Sequence, residues 1–239
     1  DGHYNTGRET WLLPVRWQDG WPVILEHGHA IPRVAPLPSF ARRDGASQAP
    51  MSGNFSWRDD FDKATLDRTW LYLRAPKQPW ADLRARPGML TIHPLPEGLD
   101  TLHNPSFLAR RQQHLAFDAS TALDVPAKPG TAAGLAAFQG STHWYFLGVR
   151  RVGERVELFL RKAAGGKPAT VARAWIEPGA TLKLKIAGDT GAYSFAYDID
   201  GKGWRWLRRG DDATILSTDV AGGFVGTMLG PYARTEAVR

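Results

Sequence analysis

The residues able to do chemistry in this 239-residue chain are few and scattered. Arg8 stands just ahead of three tryptophans, Trp11, Trp17 and Trp21, an unusual group to place before a loose tether. Indoles bring large rigid faces with one polar handle, useful against sugar rings or at a domain contact. Asp59, Asp60 and Asp62 gather carboxylates within one short stretch. Hard cations want several oxygens, so a structural calcium is open there beside a plain surface turn, the reading adopted. Asp198-x-Asp200-Gly201 resembles the start of an EF-hand loop, but Gly203-Trp204 departs from that pattern and no Glu stands at its twelfth position. It reads as a hairpin turn. His27-Gly28-His29 is the one close histidine pair, and no third metal ligand can be named for it. No serine nucleophile motif is visible, and Gly222-Gly223 is too short for a phosphate loop. No metal or other cofactor is assigned.

Composition narrows the classes. Hydrophobic content of 43% and charged content of 23% are ordinary for a globular protein. The absence of cysteine removes disulfides and thiolate metal sites but leaves the compartment open. No apolar run approaches the ~18–20 residues of a membrane span, so no membrane partner is expected. The net charge of +6 raises nucleic acid as a partner. The basic residues, however, are spread as the pairs Arg42-Arg43, Arg110-Arg111, Arg150-Arg151 and Arg208-Arg209. That pattern is a solvated basic surface, and no nucleic acid is expected. The first residues are polar, without a signal peptide, although a chain that starts inside a domain would have lost any upstream signal.

The elements that must position these residues are strands. Thr10 to Leu13 is a strand-like apolar run, closed by Pro14 and then by the turn Gln18-Asp19-Gly20. Residues 33–53 are rich in Pro, Ala, Ser and Arg, have no period, and read as an extended linker. From Phe55 onward short strands follow one another: Leu71 to Arg74, Met89 to His93, Thr121 to Val125, Ala133 to Gln139, His143 to Arg150, Arg155 to Arg161, Val171 to Ile176, Thr181 to Ile186, Ala192 to Ile199 and Trp204 to Leu207. Phe107 to Phe117 is one long amphipathic strand, preferred over a helix because it sits within a series of strands. Gly222 to Gly230 is an apolar strand rich in glycine. The class is all-β, an antiparallel β-sandwich. No fixed-period repeat is visible, and the chain is too short for that sandwich and a complete propeller.

Two stretches carry a resemblance. GRETWLLPVRWQDGWPVI, from Gly7 to Ile24, resembles the segment that closes the five-bladed β-propeller of glycoside hydrolase family 43. The ordered series FSWRDDFD, W-x-x-LR-x-P, PGML, FLARRQQHLAF, AGLAAFQ, YDIDGKGWRWL and GGFVGTMLG resembles the C-terminal concanavalin-A-like sandwich (jelly roll) of family-43 β-xylosidases. The resemblance implies residues 1–32 as the closing segment of a catalytic propeller, 33–53 as linker and 54–239 as the sandwich, with its last strand absent or cut short after Arg239. It implies an inverting hydrolase of β-xylosidic or α-L-arabinofuranosidic bonds, with xylo- or arabinoxylo-oligosaccharide as ligand and the upstream propeller domain as partner. Its catalytic carboxylates lie upstream, so none is carried onto this chain and the fragment alone is expected to be inactive. Secretion or a periplasmic location fits a polymer-degrading enzyme, although such enzymes also act on imported oligosaccharides.

Two substrate-binding residues follow by resemblance. Arg8 matches the arginine that enters the propeller's pocket and binds sugar hydroxyls, a role suited to a fixed, permanently charged fork of donors. The competing role is a structural arginine paired with Glu9 or another acid. Phe224 matches a phenylalanine that a sandwich loop places at the pocket mouth, where it would stack and exclude water. Val225, Thr227, Met228 and Leu229 depart from the family pattern, and the competing role is a core phenylalanine in a strand. A reading from another class is a non-catalytic, lectin-like carbohydrate-binding module that works alone, since the same fold hosts both.

Overall fold

Apolar residues at every second position put Val156, Leu158 and Leu160, and Leu182, Leu184 and Ile186, on one face of the strands Arg155–Ala164 and Leu182–Asp189, and these faces pack together as the main core. The computed structural model describes residues 2–8, 10–32, 34–36, 38–41, 53–177 and 181–236. The chain falls into two compact units, Asp1–Arg8 with Asp60–Arg239, and Glu9–Asp59.

The smaller unit holds a hairpin of β1 (Arg16–Gln18) and β2 (Trp21–Val23). Asp19 and Gly20 take φ of 50° and 83° at its tip, the paired left-handed turn whose twist suits two short strands. Trp17 and Trp21 are exposed, as are Trp11 and Leu12. Thr10 to Leu13, read as strand-like, is not in a strand here; it has no ladder partner among the described residues. The pair Arg42-Arg43 and most of the stretch read as linker lie outside the described residues.

The larger unit is an antiparallel sandwich. Its strands are β3 (Leu71–Tyr72), β4 (Ala81–Asp82), β5 (Thr91–Ile92), β6 (Ser106–Arg111), β7 (Phe117–Leu123), β8 (Thr131–Gly140), β9 (His143–Val152), β10 (Arg155–Ala164), β11 (Ala169–Ile176), β12 (Leu182–Asp189), β13 (Ala192–Ile199), β14 (Arg205–Asp212) and β15 (Met228–Thr235). A seven-stranded sheet runs β11-β10-β9-β8-β15-β6-β3 and faces a four-stranded sheet β14-β13-β12-β7; β4 and β5 form a separate pair. Between β14 and β15 lie a 3-10 turn, Ala213–Leu216, and one short helix, α1 (Thr218–Ala221).

The seven-stranded sheet is buried on both faces. One face meets the four-stranded sheet. The other carries Phe107, Phe138, Trp144, Phe146, Phe159 and Tyr232, packed with Leu99 and Leu73 from the preceding segment. Burial on both sides explains why Ala133 to Phe138 shows no alternation. Trp80, buried in that segment, donates to Asn104 Oδ1 at 2.9 Å.

Two expectations are corrected. Phe107 to Phe117 is not one strand: β6 ends at Arg111, β7 begins at Phe117, and they belong to different sheets. Gln112 marks the crossing, its buried side chain held by Tyr193 and by the carbonyl of His114 at 2.9 Å. Gly222 to Gly230 is not one strand: Gly222 and Gly223 both take φ of 77°, outside the β region, and the strand starts at Met228. The last strand among the described residues, β15, is inserted between β8 and β6. It runs through Pro231, a residue that argues against a central strand on sequence grounds; the ladder to β6 skips Gly230 and Pro231, where Pro231 has no N–H to give.

Candidate functional site

The N-terminal residues reach the sandwich through one buried asparagine. Asn5 Nδ2 donates to the carbonyl of Ala213 at 2.8 Å and lies 3.4 Å from the Tyr193 hydroxyl, and the Asn5 carbonyl accepts from Thr227 N at 2.7 Å. Tyr193 in turn donates to Gln112 Oε1, Gln112 N donates to the Thr227 carbonyl at 2.8 Å, and Thr227 Oγ1 donates to the Leu216 carbonyl at 3.1 Å. Burial pushes the Tyr193 phenol up to about 12, opposed by its hydrogen bonds with Asn5, Thr227 and Gln112. These hydrogen bonds pair the buried polar groups with one another, which is what makes their burial tolerable.

Past Asn5 the chain turns tightly. Gly7 has φ of 76° and bridges Val225. A Cβ on Gly7 would lie 2.3 Å from Gly226 N, and one on Gly226 would lie 2.3 Å from the Thr6 carbonyl oxygen, so two glycines let the backbones approach. This is why residues 1–8 join the sandwich and the compact units divide at 8/9 and 59/60, whereas the sequence reading drew boundaries at 32/33 and 53/54.

The turn delivers the two residues singled out from sequence to one place. Arg8 N donates to the Phe224 carbonyl at 3.3 Å, and the guanidinium carbon sits 4.1 Å from the centroid of the Phe224 ring. Phe224 is 66% exposed, in a loop, so it is not a core residue. Arg8 makes no ion pair with any described residue; Glu9 lies outside the described residues. Arg8 lines an open cleft of about 480 Å³ together with Gly2, Tyr4, Gly7, Thr218, Asp219 and Gly223, the neighbour of Phe224. A guanidinium with one face on an aromatic ring keeps its edge donors for hydroxyls or an anion. Among the lining residues Asp219 is the one carboxylate, 3.7 Å from His3 Nδ1. The arrangement can bind and orient a polar ligand beside an aromatic face.

The loop that carries Phe224 is braced by Gln139, whose Nε2 donates to the carbonyls of Gly222 at 3.2 Å and Val225 at 2.6 Å. Sequence reasoning missed Asn5, Gln112, Gln139 and Tyr193. The available signal was polar amides set against apolar strands, in FQG and RRQQ. The other sequence candidates stay apart. No group of three His, Cys, Asp or Glu among the described residues could hold a metal ion, so neither the Asp59, Asp60, Asp62 run nor His27 and His29 gains support as a metal site. Asp198 and Asp200 bind backbone N–H groups of Gly203 and Thr181 at 3.1 and 3.0 Å in the hairpin turn expected of them.

The chain resembles a putative β-xylosidase of Escherichia coli (strain K12), with 31% identity over 96% of this chain and 43% of that protein. It also resembles a non-reducing end α-L-arabinofuranosidase of Bacteroides ovatus, with 29% identity over 98% of this chain and 43% of that protein. A crystal structure of a GH43_12 protein from a capybara gut metagenome superposes with a TM-score of 0.88 at 31% identity, covering 98% of this chain and 45% of that one. The GH43 protein BlXynB of Bacillus licheniformis superposes with a TM-score of 0.79 at 26% identity, covering 99% of this chain and 45% of that one. The chain thus spans under half the length of these relatives. Residues 58–238 match the family described as the beta xylosidase C-terminal concanavalin A-like domain, which is the sandwich whose loop presents Phe224, and the chain belongs to that glycoside hydrolase family 43 domain family.

Proposed function

We propose that the chain is the C-terminal part of a glycoside hydrolase that cleaves β-xylosidic or α-L-arabinofuranosidic bonds of xylan-type oligosaccharides by inversion. In this reading the catalytic carboxylates belong to an upstream propeller, and this chain contributes the accessory sandwich, the propeller's closing segment in residues 1–32, and a pocket wall. The observation that carries it is the Arg8 guanidinium stacked on the exposed Phe224 ring beside an open cleft. An arginine edge for sugar hydroxyls next to an aromatic face is the chemistry a terminal sugar requires. The exposed Trp11, Leu12, Trp17 and Trp21 support a packed partner, since apolar groups of that size seldom cluster unused at a surface. The intact enzyme would work on plant-wall fragments in a secreted or periplasmic setting.

The test is hydrolysis of aryl β-xyloside and aryl α-L-arabinofuranoside by this chain alone and mixed with an upstream propeller fragment. Silence alone, activity on mixing, and its loss in Arg8→Ala are expected. Hydrolysis by this chain alone would refute the assignment of the carboxylates.

A second reading has its own observation. Trp204 and Trp206 are each 38% exposed, with Lys185 Nζ 4.7 and 5.6 Å from their ring centroids and Arg209 4.7 Å from Trp206. A lectin-like module would use such rings. It predicts xylo-oligosaccharide binding by this chain alone, lost in Trp206→Ala, without rescue of hydrolysis on mixing.

A further inference from the structure

We infer that Gln139 is a positioning residue for the Arg8 and Phe224 pair, an inference that rests on the pocket reading above. The loop from Gly222 to Gly226 has little to fix it from within. Gly222 and Gly223 both sit at φ of 77°, a third glycine ends it, and Phe224 points out with 66% of its surface free. Glycine-rich backbone of this kind has many conformations to lose.

The brace comes from the neighbouring strand. The register of β8 against β9 shifts between Phe138 and Gly140, so Gln139 is the extra residue of a bulge, and a bulge re-aims the side chain it carries. The side chain turns to the loop, where Nε2 donates to the carbonyls of Gly222 at 3.2 Å and Val225 at 2.6 Å. Those two carbonyls bracket Gly223 and Phe224. Two acceptors demand a nitrogen, which settles the amide orientation. Gln139 Oε1 is buried without a hydrogen-bond partner, so the side chain forgoes one bond to make this double contact. On the loop's far side Thr227 N is held by the Asn5 carbonyl at 2.7 Å. Phe224 is thus placed across Arg8 by a brace at each end of its loop, and Gln139 is the brace made by a side chain.

Gln139→Glu tests this with nearly unchanged shape. It sets a carboxylate oxygen against two carbonyl oxygens and removes both donors. In this chain the thermal midpoint should hold while the amides of residues 222–226 exchange roughly tenfold faster, after correction for intrinsic rates. Acidification should restore protection, because the neutral acid can donate one O–H. In the chain joined to its upstream catalytic domain, KM for aryl β-xyloside should rise by no more than the about three- to tenfold of Phe224→Ala, with kcat less affected. Wild-type exchange together with wild-type KM overturns the inference. Should Gln139→Glu unfold the chain, Gln139→Met removes the donors without a charge and is read by the same exchange and KM outcomes. Phe224→Ala separates the two levels. If it leaves KM unchanged, the pocket reading fails and loop exchange alone decides for or against Gln139. If it raises KM while the Gln139 variants do not, the pocket reading stands and the positioning role falls.

Discussion

The segments that meet the two ends of strand β8 are held by different means. At the Thr131 end the sheet is tied by charge. Glu157, 3% exposed, accepts from Arg150 at 2.7 Å and lies 3.3 Å from Arg173. Arg150 also donates to Glu236 at 2.8 Å, and Arg161 binds the same carboxylate. Arg150 and Arg161 lie over the Phe159 ring at 5.4 and 4.7 Å, and Glu236 N donates to the Gly130 carbonyl at 2.6 Å. At the Gln139 end the contacts that hold Asn5, Thr227 and the Phe224 loop are made by neutral amides, a phenol and glycines, while the buried Asp211 beside Tyr193 pairs with Lys162 and Arg208 in the sheets behind them. Buried ion pairs hold rigidly because removing one partner strands the other. Neutral amide contacts shift at less cost. The first end keeps the sheet closed, and the second leaves an aromatic ring free to meet a ligand.

The largest effect should come from the charged end. Arg150→Ala leaves Glu157 and Glu236 short of a partner and should cost about 3–5 kcal/mol, read as a lowered urea midpoint, with the Arg8 and Phe224 end unaltered in amide exchange. A loss under about 1 kcal/mol would dissolve the contrast. Gly7→Ala should act the other way round. Its Cβ would meet backbone at 2.3 Å and the position has φ of 76°, so residues 2–8 should detach, Arg8 should leave Phe224, and the joined enzyme should lose about a hundredfold in kcat/KM. Global stability should fall by only about 1–2 kcal/mol, and unchanged kinetics would count against the site.

The pH dependence should carry a marker from each end. Burial alone would raise the Glu236 carboxyl, but hydrogen bonds and charge from Arg161 and Arg150 outweigh it and hold Glu236 below its ordinary value of 4.5. A depressed folded value contributes stability above the unfolded one, lost as pH falls through the folded value. The acid limb should therefore begin below about pH 5 and flatten in Glu236→Gln. At the other end burial raises Tyr193 from 10.0 to about 12. That stability is complete below pH 10 and is lost as pH rises toward 12. Tyr193→Phe should reduce the alkaline loss, to which Tyr145 and Tyr232, also raised by burial, contribute as well, and leave the acid limb alone; denaturation across both ranges checks it. The smallest effect belongs to Phe224→Ala, with KM up about three- to tenfold and stability unchanged within about 0.5 kcal/mol.

Much of this was readable along the chain, for reasons visible at single residues. Alternation in Val156, Leu158 and Leu160 and the Asp-Gly turns at 19–20 and 200–201 are local signals, and the strands and hairpins followed them. The fold class and the domain family were legible from strand spacing and from motif order. Misreadings fell where tertiary pairing overrides local pattern. The break at Gln112 separates two sheets that the apolar period of 107–117 runs through without pause. Pro231 disguises a central strand because its missing N–H coincides with a gap in the ladder. Arg8 and Phe224 could be named one at a time, but not their stacking, because 216 positions separate them and only the crossing at Gly7 and Gly226 closes that distance.

What the sequence by itself determined, then, is the set of strands, their turns and the family whose sandwich they build, because hydrophobic period and turn chemistry act between near neighbours. Only the tertiary structure decided that Asn5 is buried, that Gln139 bulges toward a loop more than eighty residues away, and that Arg8 lies on Phe224. Those are contacts between distant segments, and their energies exist only once two sheets and a loop have met.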